Sequence, residues 1–138
     1  MNKVVFVPHC ILNQSVRALG KESQCGQTKE IVKFFAEAEI GIVQMPCPEA
    51  ESKGKSYQKV CREISIGTLR IVKDYLERGY EVLGILGVEF SPTCGVHRIE
   101  SKSKIVPGKG ILTQELEKAM QEHVLARAEL IGTYQRGK

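Results

Sequence analysis

No run of five like charges occurs in the chain, and this excludes a nucleic-acid-binding arm built from basic residues. No apolar stretch approaches the ~20 residues that span a bilayer. The opening Met1-Asn2-Lys3 leads into Val4-Val5-Phe6-Val7 and stops at Pro8-His9. That run is too short for a signal peptide and has no small-residue cleavage site, so it reads as a first strand and the expected location is cytoplasmic. Internal repeats and low-complexity tracts are absent. So are close-set C-x-x-C pairs, and with them the usual closed zinc site. The cysteine count of 5 is odd for a disulfide framework, and in the expected compartment thiols stay reduced. Metal binding or thiol chemistry is the better expectation.

What is present is an ordinary globular composition. The chain has 138 residues, 42% hydrophobic and 26% charged, with a formal net charge of +4. One domain over 1–138 can bury a core at that length. Strand and helix patterns alternate. Residues 3–7, 41–45 and 81–88 are apolar, β-branched runs and read as buried strands. Residues 28–38 and 57–78 carry helical stripes, the second ended by Arg78-Gly79, where glycine suits the left-handed stop. A last helix is expected over 113–131, with Leu116, Met120, Val124 and Leu125 on one face and a polar tail after it. Strands separated by helices imply parallel pairing. The expected fold is a three-layer α/β/α domain with a small, mostly parallel sheet. Residues 49–57 read as a polar loop.

Three cysteines share a topological position. Cys10 follows the first strand, Cys47 the second and Cys94 the third. In open α/β sheets ligands collect beyond the carboxyl ends of the strands. Prolines and glycine flank all three: Pro8, Pro46, Pro48, Pro92 and Gly95. A free cysteine often only packs, and Cys25 and Cys61, outside this pattern, are read that way. Three thiolates suit either a zinc site, with an open position or with His9 or His97 in the fourth place, or an iron–sulfur cluster. Spacing does not choose between them.

The cysteine segments resemble those of the thiouracil desulfidase family. Cys10-Ile-Leu-Asn-Gln-Ser-Val-Arg17-Ala-Leu-Gly20 is similar to that family's C-L-L-G-x-x-C-R-Y-D-G, Cys47-Pro48-Glu49 to its C-P-E, and Ser91-Pro92-Thr93-Cys94-Gly95 to its S-P-S-C-G. Pro107-Gly-Lys-Gly-Ile-Leu-Thr113 resembles its G-x-G lead into the last helix. Val16 replaces a second cysteine, and Ala18-Leu19 replaces a Tyr-Asp pair. The resemblance implies a [4Fe–4S] cluster on Cys10, Cys47 and Cys94, with one iron left open to take the sulfur of a small thiolated substrate. It implies hydrolysis of the carbon–sulfur bond, with release of sulfide.

Such a reaction needs a proton-transfer group. Glu49 is the first candidate; its plainer reading is a capping or ion-paired carboxylate. Ser91 is the second, orienting substrate or water; its plainer reading is a Ser-Pro turn starter. Arg17 could grip an acidic substrate group, while Lys53, Lys55 and Lys59 read as a solvated face. A non-enzymatic cluster or sulfur carrier and a three-thiolate zinc or thiol protein are the competing roles. A homodimer stays open.

Overall fold

A computed structural model describes residues 2–13, 26–52, 54, 56–89, 91, 93–122 and 130–135. Arg17, Cys25, Val16, Ala18, Leu19, Lys53, Lys55, Pro92, Val124 and Leu125 lie outside them. In chain order the elements are β1 (Lys3–Pro8), α1 (His9–Leu12), α2 (Gly26–Glu37), β2 (Gly41–Met45), α3 (Pro48–Glu51) and α4 (Tyr57–Glu77). They continue with β3 (Glu81–Glu89), β4 (Arg98–Ser101), β5 (Lys104–Pro107), α5 (Ile111–Glu122) and β6 (Leu130–Gln135). The main sheet runs β2-β1-β3-β6, and every pair in it is parallel.

Parallel strands need crossovers, and crossovers are right-handed. The step from β1 to β2 goes one way across the sheet, and the steps to β3 and β6 go the other. Handedness therefore sends α2 to one face and α4 and α5 to the opposite face. The packing follows. Val5, Val7, Leu86 and Val88 face Ile31, Val32 and Phe35 of α2. Val4, Phe6, Val82 and Ile85 face Val60, Ile64 and Leu69 of α4 and Leu112 and Leu116 of α5. The three-layer α/β/α reading holds.

The sides of β3 do not simply alternate, because Val82 and Ile85 share a face. A register shift against β1 lies between them, where Val5 pairs with Gly84 and Val4 with Val82. The extra residue is a bulge, and it sends Leu86 and Val88 to the α2 side. Helix α4 opens with the Ser56 hydroxyl accepting from the Lys59 N–H at 3.4 Å. It closes at Gly79, whose φ of +88° ends the helix as the sequence predicts.

The final helix is corrected. Helix α5 begins at Ile111, and Leu130–Gln135 is strand β6 rather than the end of a helix and its tail. Ile131, Thr133 and Tyr134 are good strand formers, and Gly132 weakens a helix. Pairing beside β3 gives this segment the backbone partners that decide the matter. The loop reading of 49–57 is corrected in part, since Pro48–Glu51 forms α3. No helix among the described residues is long and apolar enough to cross a membrane.

The hairpin β4–β5 is an addition to the predicted elements. Its two-residue turn, Lys102-Ser103, has φ of +50° and +67°, the signature of a type I′ turn. Neither residue favours that conformation. Replacing Lys102→Asn together with Ser103→Gly should raise stability by ~1 kcal/mol, the scale of left-handed strain in ordinary residues. Urea unfolding would read this as a higher midpoint with an unchanged slope.

Candidate functional site

The strand order reverses between β1 and β3, since the chain leaves β1 on one side and returns on the other. The crevice at such a point is where open α/β sheets bind ligands. Cys10 and Cys94 follow the two strands that flank it, and Cys47 follows the neighbouring β2.

Each sulfur is held differently. Cys10 is buried in α1, packed with Val5, Val7, Ile11, Leu86 and Val88. Cys47 is the N-cap of α3, followed by Pro48 at the first helical position. Its carbonyl accepts from the N–H groups of Ala50 and Glu51 at 3.1 and 3.0 Å. Its side chain makes no cap bond and is only partly buried, so the thiol can serve a ligand. Cys94 packs against the core clusters on both faces of the sheet.

The loop that carries Cys94 is tightly tied. The Cys94 carbonyl accepts from Val88 N–H at 2.9 Å, and the Thr93 carbonyl accepts from Leu112 N–H at 3.0 Å. The Gly95 carbonyl accepts from Gly110 N–H at 2.9 Å. Ser91, 2% exposed, accepts on its hydroxyl oxygen from the N–H groups of Thr93 and Cys94 at 3.2 and 3.1 Å. The structure thus places Ser91 as the residue that sets the direction of Cys94. Backbone also meets backbone closely here. A Cβ on Gly110 would lie 2.2 Å from the Thr93 carbonyl, and one on Gly87 2.5 Å from the Cys94 oxygen. This explains the glycine before the last helix in physical terms: only a residue without a side chain lets α5 approach the loop.

Beside this loop lies a cleft of about 260 Å³ lined by Glu49, Tyr57, Thr93 and Ile111. The Glu49 carboxylate is exposed and makes no ion pair or hydrogen bond among the described residues. The Tyr57 phenol is hydrogen-bonded to the Thr93 hydroxyl. Burial pushes the phenol up to about 12. The Thr93 bond opposes this, and the nearby charges of Glu49, Cys61 and Cys94 add to it. Tyr57 therefore stays a neutral donor and acceptor in the cleft. Cys61 is fully buried, and burial, with Glu115 and Cys47 nearby, pushes its thiol up to about 11. It packs in the core, as read from its position.

The structure brings Glu49 to one cleft with Thr93, the residue before Cys94, and with Tyr57; the sequence reading passed over both Tyr57 and Thr93. Thr93 stood inside a quoted motif. Tyr57 had only its place at a helix start, eight residues past Glu49, as a signal. His9 sits half-exposed at the start of α1, its ring nitrogen 3.3 Å from Asn13 Nδ2. His97 is exposed, and its carbonyl accepts from Gly108 N–H at 3.0 Å. Among the described residues no three His, Cys, Asp or Glu side chains meet closely enough to hold a single metal ion. Cluster thiolates each bind a separate iron and need not meet at a point.

Two predictions follow from the loop and the phenol. Gly110→Ala should displace Thr93 and Cys94 and cost ~1–3 kcal/mol, the scale of overpacking, in urea unfolding. The folded pKa of Tyr57 lies above its unfolded value, so its stabilisation is complete below pH 10.0 and lost as pH rises towards about 12. Tyr57→Phe should accordingly flatten the fall of stability through that alkaline window, measured by unfolding midpoints against pH.

No family model matches the chain. It is 26% identical over 133 residues to an uncharacterised protein of Methanocaldococcus jannaschii, a match covering 87% of this chain and 79% of that one. Among solved structures it resembles the [4Fe-4S]-dependent thiouracil desulfidase TudS, with a TM-score of 0.57 at 16% identity. That match covers 94% of this chain and 90% of the other. The neighbour is of the same kind as the family that the cysteine segments resemble, and the chain shares its fold.

Proposed function

We propose that this protein is a [4Fe–4S]-dependent desulfidase that removes sulfur, as sulfide, from a thiolated nucleobase or a similarly small thione or thiol. One observation carries the reading. Cys10, Cys47 and Cys94 follow three adjacent parallel strands around the point where strand order reverses, in a fold shared with a desulfidase. These three residues would hold the cluster, and their soft, disulfide-free thiols suit iron. A cubane on three protein thiolates supplies one iron without a protein ligand, a Lewis acid with affinity for sulfur.

The chain's own residues supply the rest. Ser91 and the backbone bonds around it fix the direction of Cys94. Tyr57 and Thr93 offer a neutral hydrogen-bonding wall for the polar edge of a substrate ring. Glu49, on the same cleft, takes a proton from the attacking water and returns one to the departing sulfur. The carbon–oxygen bond forms as the carbon–sulfur bond breaks.

The test is anaerobic reconstitution with iron and sulfide counting, then assay of a panel of thiolated nucleobases. Cys10→Ala, Cys47→Ala and Cys94→Ala should each lose iron, and Cys25→Ala and Cys61→Ala should keep it. Glu49→Gln should retain the cluster and slow sulfide release ~10²-fold or more. Full iron retention in all three ligand variants would sink the cluster assignment. A loaded protein that releases sulfide from no panel member would sink the proposed activity.

A further inference from the structure

Helix α4 has a glycine near its middle, Gly67, where alanine would make a more stable helix. Packing does not call for it: a Cβ at this position would meet nothing within 4 Å. The open space belongs to a cavity of about 460 Å³ between α4 and the end of β2, an edge strand of the sheet. That is the size of a small-molecule site. The floor is apolar and buried: Phe6, Met45, Val60 and Ile64.

One polar group lines this floor. Thr68 is 4% exposed and lines the cavity. Its hydroxyl has no hydrogen-bond partner among the described residues. Ser65, on the same helix, instead donates to the Cys61 carbonyl at 2.8 Å. A buried hydroxyl without a partner is costly unless something brought from outside completes it. The exposed rim carries both signs, Glu51 and Glu63 against Arg70, and the floor carries none. A charged ligand would lose its water there without gaining a counter-ion.

We propose that this cavity binds a small, uncharged, mainly apolar molecule with one hydrogen-bonding group, of the aromatic-alcohol or heteroaromatic class, which meets the Thr68 hydroxyl. The site contains no cysteine, and its lining shares no residue with the cleft of Glu49, Tyr57, Thr93 and Ile111. It therefore stands apart from the desulfidase reading.

Equilibrium dialysis of the full chain against phenol and toluene tests this, because the two probes are close in size and differ by a hydroxyl. Phenol should bind saturably and ~5-fold more tightly than toluene, the scale of one hydrogen bond. Thr68→Val, which keeps the shape and removes the hydroxyl, should erase that preference. Gly67→Leu should fill the space and abolish binding of both probes without lowering the melting temperature. Saturable phenol binding that persists in a folded Gly67→Leu would overturn the proposal. So would the absence of saturable phenol binding to the unaltered chain, or equal affinity for the two probes. The Thr68→Val comparison keeps the outcome decisive should Gly67→Leu fail to fold.

Discussion

The handedness of parallel crossovers is the constraint on which the rest of this molecule depends. A right-twisted strand followed by a right-handed helix returns to its sheet in one sense only. Given the order β2-β1-β3-β6, that rule assigns α2 to one face and α4 and α5 to the other. It also opens the crevice at the ends of β1 and β3. Residues distant in sequence, Cys10 and Cys94, reach that crevice without any local motif to join them. Chemistry is thereby concentrated where backbone topology leaves room for it.

Much of this was legible in the sequence, for definite reasons. Strands β1 and β3 are buried on both sides, so their apolar runs are continuous and their limits clear, while the half-buried edge strand β2 shows a shorter run closed by Pro46. Helix α4 announces itself by a long stripe and a glycine stop, each a local physical requirement. The position of Cys10, Cys47 and Cys94 beyond the strands was legible because each follows such a run. What escaped was structure decided by partners rather than by local preference. β6 is a strand because β3 has an open side. The β4–β5 turn uses Lys102 and Ser103 where asparagine and glycine would have signalled it. The bulge at Gly84 leaves no mark in the apolar pattern.

The site residues divide in the same way. Glu49 was singled out because it stands two residues beyond Cys47 in sequence. Tyr57 comes from another element, and only packing brings it against Thr93. Ser91 illustrates how a motif residue can serve through geometry: its hydroxyl fixes the backbone of Cys94. The proposed function rests on two different grounds, the fold shared with a solved desulfidase and the placement of the cysteines.

The bond between Gly110 N–H and the Gly95 carbonyl has a consequence for how this chain can diverge. It closes the base of the excursion that contains β4 and β5. Arg98 and Ile99 lie against Gly95, but the tip beyond them, from Glu100 to Ile105, is exposed and can lengthen or shorten without disturbing Thr93, Cys94 or the start of α5. Insertions are tolerated where backbone is exposed and its ends are already fixed. The hairpin tip is thus free to vary in length above a fixed clasp, and the crevice beneath it does not depend on that length.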